Sequence, residues 1–209
     1  MKNTVVKMNT HLEFVTWSKM SGKLEGIPAL NTDTTSNKFC IERSKDKDSI
    51  CSQCYSWNML KTFRKNAVPR FLKNSNLISE SVLDRSELPH PKSLVARFNG
   101  HGELINTNHV QNIVNFALSY PKVTFTLWTK KVGVIQAFFR KNKKPDNLLL
   151  IYSNEKIDSI SNKPPKYFDK SFNVVSKKTD DVNCEGKCID CLKCYNLKDK
   201  TKQIIEVIK

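Results

Sequence analysis

"SLVARFNGHGELINTNHVQNIVNFALSYPKVTFTLWTKK", residues 93–131, decides the fold. It opens on a short apolar run, 93–98, rich enough in β-formers to be a buried strand. After a glycine-containing loop, Val110, Ile113, Val114, Ala117 and Leu118 recur at the i, i+3, i+4 spacing of a helix packed on a sheet. Asn106 or Thr107 can cap that helix, and Pro121 stops it. A second strand follows at 123–128. Strands separated by a helix cannot pair as a hairpin, so the two are expected to lie parallel.

The pattern continues outward. "VGVIQAFFRKN" reads as a helix with Val134, Ile135, Phe138 and Phe139 on one side, and "NLLLIYS" (147–153) as a third strand. Further strands are expected at "FNVVS" (172–176) and "LEFVTWS" (12–18). "WNMLKTFRKNA" reads as a helix aligning Leu60, Phe63 and Ala67 and ending before Pro69. The expected architecture is a single α/β domain over 1–209 with about five strands. It is an open sheet, a partial parallel β/α barrel, with cysteine-bearing segments (36–57 and 183–196) closing one end.

Composition fits a globular chain, with 39% hydrophobic and 26% charged residues. No apolar run is long enough for a membrane helix, and the start has no signal-peptide h-region. The expected setting is a reducing cytoplasm. Clustered cysteines there favour metal over disulfides. The net charge of +15 suits nucleic acid and equally suits a merely solvated surface, Lys and Asn being abundant throughout.

The seven cysteines fall in two bunches. Cys184, Cys188, Cys191 and Cys194 form C-x3-C-x2-C-x2-C, lacking the long arm between the two pairs of a structural zinc site. Read backwards, the spacing matches a ferredoxin run, so a 4Fe-4S cluster is preferred and zinc is the alternative. Cys40, Cys51 and Cys54 supply three thiolates, leaving one position open to an outside ligand. The other option is a fourth ligand from His90, His101, His109 or a distal cysteine. Tyr55, Trp57 and Tyr195 are read as shielding sulfurs from water, with base stacking beside Lys61, Arg64, Lys65, Arg70 and Lys73 as the rival reading.

In parallel α/β sheets, ligands gather at the carboxyl ends of strands. Those ends supply Asn99, His101 and Glu103, then Thr129 and Lys130, then Ser153 and Asn154. Asn99, His101, Glu103 and Asn154 are the candidate cofactor-binding residues, and Glu103 and Lys130 the candidate catalytic ones. Gly100 and Gly102 are read as allowing close backbone approach to a ligand, or as serving only a tight turn. No GxxxxGK[ST] loop occurs, and no Ser-His-Asp arrangement can be argued from the spacings.

Taken in order, "GIPALNT…NKFC…SICSQCYS", "ARFNGHGELIN", "FTLWTKK", "NLLLIYSN" and "CIDCLKCY" resemble the phage and prophage gene product eighty-eight family, over about residues 22–195. That resemblance implies an origin in a phage or mobile element. A looser one is to radical S-adenosylmethionine enzymes, which share a partial parallel barrel, a three-cysteine cluster and a Gly-Glu loop after an early strand. It implies a SAM-binding cluster on Cys40, Cys51 and Cys54, Glu103 at the SAM amine, and an auxiliary cluster on the last four cysteines. The chain departs from it in the ten-residue first gap, in Gln53 before the third cysteine, and in its short length. The competing expectation is a non-catalytic, metal-stapled protein that binds nucleic acid or a host protein through its basic surface.

Overall fold

The computed structural model describes residues 14–208. Its core is one sheet of seven strands lying side by side in chain order: β1 (Trp17–Ser18), β2 (Ala29–Leu30), β3 (Val95–Phe98), β4 (Thr124–Thr129), β5 (Leu148–Ile157), β6 (Lys170–Val175) and β7 (Gln203–Val207). β1 is antiparallel to β2, and every later pair is parallel. The expected strand at 12–18 is only the two-residue β1, and residues 12 and 13 lie outside those described. Among the described residues there are seven strands where about five were expected: β2 is only two residues long, and β7 meets its partner β6 across the intervening cysteine segment.

Among the described residues six α-helices accompany the sheet: α1 (Lys38–Arg43), α2 (Tyr55–Lys61), α3 (Val68–Glu80), α4 (Thr107–Ser119), α5 (Val132–Phe139) and α6 (Cys188–Cys191). The β3-α4-β4-α5-β5 run is the one read from the sequence. Asn106 caps α4 by accepting from the His109 amide at 3.0 Å. The buried stripe of α4 takes in Phe116 and leaves Leu118 out, 64% exposed, so Leu118 is corrected as a core residue.

The expected helix over 57–67 is also corrected. α2 ends at Lys61, where Thr62 adopts φ −116° and ψ −106°, and Phe63 is 73% exposed rather than aligned with Leu60. Pro69 does not end a helix; it starts α3, where a missing amide costs nothing because first-turn amides have no intrahelical acceptor.

Alternation along the strands separates two faces. Ala96, Phe98, Phe125, Leu127, Leu148 and Leu150 face α3, α4 and α5 in the main core. Val95, Trp128 and Ile151 face the other way and are covered by the segment carrying Cys184, Cys188, Cys194 and Tyr195, with Ile204. The C-terminal cysteine segment therefore packs across a sheet face, while the upstream one follows β2 at the strand ends. The two do not close one end together. A buried ion pair fastens this region: Lys170, 1% exposed, reaches Asp199 Oδ1 at 2.7 Å and the Thr201 carbonyl at 2.9 Å. Among the described residues no helix is long and apolar enough to cross a membrane.

Candidate metal centres

The loop after β2, Asn31 to Thr34, is polar yet buried, because the loop after β3 satisfies it. The His101 amide donates to Asn31 Oδ1 at 2.8 Å, Thr32 N to the His101 carbonyl at 3.2 Å, and Gly102 N to Thr34 Oγ1 at 3.0 Å. A Cβ on Gly102, whose φ is +86°, would lie 2.1 Å from Thr32 Oγ1. The glycines of Asn-Gly-His-Gly-Glu thus admit a second loop of the same chain, which is the turn reading and not close approach to a ligand.

That paired scaffold positions the upstream thiols. Asn37 caps α1, accepting from Phe39 and Cys40, and its amide donates to the Glu103 carbonyl at 3.1 Å. Ser49 caps the turn bearing Cys51, and its backbone bridges Lys156 at the far end of β5. Arg43 reaches Glu155 at 3.3 Å on the same extension. β5 runs beyond its expected end at Ser153 because it grips this loop.

Cys40, Cys51, Cys54, Glu103 and Lys130 act electrostatically on one another. Burial, then Glu103 and the neighbouring thiols, push the Cys40 thiol far up, and burial raises Cys51. Burial alone would lower Lys130, yet Cys51 and Glu103 outweigh it and keep the ammonium charged. Lys130 Nζ donates to Ser153 Oγ at 3.0 Å. Glu103 is 5% exposed; Oε1 accepts from Thr129 Oγ1 at 2.5 Å and Leu104 N at 2.7 Å, and Oε2 from Lys130 N at 2.9 Å. A carboxylate offers about four acceptor sites, so about one remains unused.

The downstream thiols line one cavity of about 20 Å³ with Lys23 and Ile204 among its walls, room for about one water. Cys194 is buried and Cys191 exposed, so the sheet closes the nest on one side and α6 opens it to solvent on the other. Burial, then Cys184 and Cys188, push the Cys194 thiol up to about 12. Lys23 Nζ lies 3.1 Å from Cys184 Sγ and 2.6 Å from Glu206 Oε1. Tyr195 is buried against Trp128, ring centroids 5.6 Å apart.

All seven cysteines are free thiols. Among the described residues, no three His, Cys, Asp or Glu side chains have the geometry of a single-ion site. The donors in both nests are thiols, and burial and neighbouring groups resist the ionisation of Cys40 and of Cys194, which a bound cation would reverse.

The model of the family described as gene product 88 matches residues 5–202, a span that includes both nests. The chain belongs to the gene product 88 family. No curated protein and no solved structure matches it. Membership carries the first resemblance and leaves the likeness to radical SAM enzymes without support from any relative.

Within this family member the remaining candidates divide. His101 is 2% exposed with Nδ1 2.8 Å from Ser56 Oγ, and burial holds its pKa down at about 4, so it is a neutral tether for α2. His109 is fully buried in α4 with its pKa near 3, and His90 stacks edge-on with Tyr120. Asn154 is spent on Ser159 and Asn173. Asn99 adopts φ +57°, accepts from Thr32 at 3.4 Å and leaves its buried Nδ2 without a partner.

Sequence reasoning missed Arg97. Its guanidinium lies 3.9 Å over the Trp128 ring, its Nε is buried without a hydrogen-bond partner, and Nη2 reaches the Asn99 carbonyl at 3.5 Å. Burial pulls its pKa down, and Tyr195, Tyr55 and Cys188 more than offset that. Tyr55 follows Cys54 and Tyr195 follows Cys194, so Arg97 is coupled to a residue next to each nest. The available signal was a charge inside the apolar run 93–98.

Proposed function

We propose that the protein is an iron–sulfur protein whose working centre is held by Cys40, Cys51 and Cys54, with a second centre on Cys184, Cys188, Cys191 and Cys194. The observation that carries this is the gathering of the three upstream thiols with Glu103 and Lys130 at the carboxyl ends of consecutive parallel strands. Ligand chemistry in parallel sheets concentrates there. The chain-order sheet, with one face under helices and the other under the downstream segment, supports a partial parallel barrel.

A three-cysteine iron–sulfur centre supplies one-electron chemistry at an iron open to an outside ligand; with S-adenosylmethionine as co-substrate, that chemistry is hydrogen abstraction. The chain's own groups suit such a co-substrate. Glu103, clamped by three donors, keeps an acceptor site for an ammonium, and Lys130 offers a fixed cation to a carboxylate. Arg97 acts electrostatically on Cys188 of the downstream nest and on Tyr55, the residue after Cys54 of the upstream one.

The test is spectroscopic. The anaerobic, reduced protein is titrated with S-adenosylmethionine and followed by electron paramagnetic resonance. A shifted signal in the wild type, lost in Cys51→Ser and kept in Cys191→Ser, is the expected result. An iron–sulfur signal unchanged by S-adenosylmethionine, with no 5′-deoxyadenosine formed, overturns the catalytic reading.

A further inference from the structure

Between Asp48 and Glu80 the chain carries no carboxylate, while Lys61, Arg64, Lys65, Arg70 and Lys73 add five positive charges. This stretch is α2, the turn after it and the start of α3. Cation-rich helices are usually just solvated, and single exposed apolar side chains need no explanation. Here, however, the cations are interleaved with rings. Tyr55 is 51% and Phe63 73% exposed, and Lys61 Nζ sits 4.3 Å over the ring of Trp57.

The rings are held in place. Tyr55 donates its hydroxyl to the Gly100 carbonyl, leaving the ring half exposed. Phe63 projects from a turn closed by Thr62 N and Arg64 N, both on the Met59 carbonyl, at 3.2 and 2.9 Å. Arg64 Nη2 is tied to Ser21 Oγ at 2.7 Å. Cys54, a member of the upstream nest, is the N-cap residue of α2. Whatever lies along α2 reaches the rim of that nest.

We infer that this surface binds single-stranded nucleic acid, presented to the upstream thiol site. A cationic track for the phosphates beside exposed rings is the physical requirement for strands with unstacked bases. A duplex hides its base faces and would use only the cations. The net charge of +15 adds a long-range attraction of the same sign. The adjacency to a working centre rests on the function proposed above; the surface itself does not.

The experiment is fluorescence anisotropy of a labelled oligothymidylate with the full chain, beside the matching duplex and anionic phosphatidylserine vesicles. Binding is expected for the single strand first. Phe63→Ala weakens it about tenfold, within the range for one lost base stack. Lys61→Gln with Arg70→Gln flattens the log-log salt dependence by about 1.4, two phosphate contacts' worth. No binding at low salt, equal binding of duplex that Phe63→Ala leaves unchanged, or sedimentation with vesicles in preference to the oligonucleotide overturns the inference. Iron and sulfide are assayed in the same preparations. A brown protein that ignores the oligonucleotide refutes this surface and leaves the cluster standing; a colourless one that binds it, with the Phe63 effect, supports the surface alone.

Discussion

The two thiol nests are built from the same residue in opposite surroundings. The upstream three sit among charges, with Glu103 and Lys130 fixed beside them and Ser153 and Thr129 in support. The downstream four sit on a sheet face against Trp128, Ile151, Ile204 and Tyr195, with Lys23 beside Cys184 and Arg97 acting on Cys188. A charged, structured rim suits a site that handles a substrate. An apolar bed suits a staple that lets a short segment cover a sheet face. On the function proposed above, the difference teaches that sulfur count alone would not say which site works; the neighbours would.

If that contrast is right, the nests fail differently when cut. Cys194→Ser, at the buried member of the downstream set, is expected to lower stability by more than about 3 kcal/mol and to strip metal from that nest, because a bound centre there is folding energy. Cys51→Ser is expected to lose its centre while costing under about 1 kcal/mol. Denaturant midpoints and iron per chain check both, and equal losses in the two variants erase the contrast.

The bed beneath the downstream nest depends on Lys170. Lys170→Ala leaves the partly exposed Asp199 and the turn before β7 without their cation, and losing these charge-assisted hydrogen bonds costs about 1.5–3 kcal/mol. A urea midpoint like that of the wild type would mean that β7 does not depend on the pair.

Acid probes the upstream side. His101 and His109 are held neutral, with pKa values near 4 and 3, while the unfolded chain protonates them near 6.5. The unfolded state therefore binds more protons below 6.5. Stability falls as pH drops from about 6.5 towards 4, by on the order of 2–3 kcal/mol for His101 alone. His101→Gln is expected to flatten part of that slope, and an unchanged slope removes His101 as its source.

A smaller effect than at Lys170 or His101 is expected at Glu103. Glu103→Gln turns one acceptor into a donor facing an amide, at a cost of about 1–2 kcal/mol. Metal content is expected to be unchanged, and the response to S-adenosylmethionine lost.

The middle of the fold was legible because β3, α4, β4, α5 and β5 carry strong apolar periods. What was not legible was set by tertiary partners. β2 is two residues long and exists because β1 and β3 flank it. α3 was hidden behind a proline read as a stop. Phe63 matched a helical period and lies outside, because Thr62 ends the helix first. At the site, Glu103 and Lys130 were legible as strand-end polar residues, whereas the structural roles of Asn154 and His101 depend on partners far along the chain. Asparagines that composition could assign only to a general abundance serve as buried clamps. Asn74 holds Thr16 and Asn31, and Asn112 holds Ile78, Ser81 and Leu83.

The most direct measurement is the metal and acid-labile sulfide content of the anaerobically purified wild-type chain, with its visible spectrum. Iron and sulfide in equal amounts, in a brown protein that bleaches in air, is the predicted result. A colourless protein holding zinc, or holding no metal while folded and soluble, contradicts it.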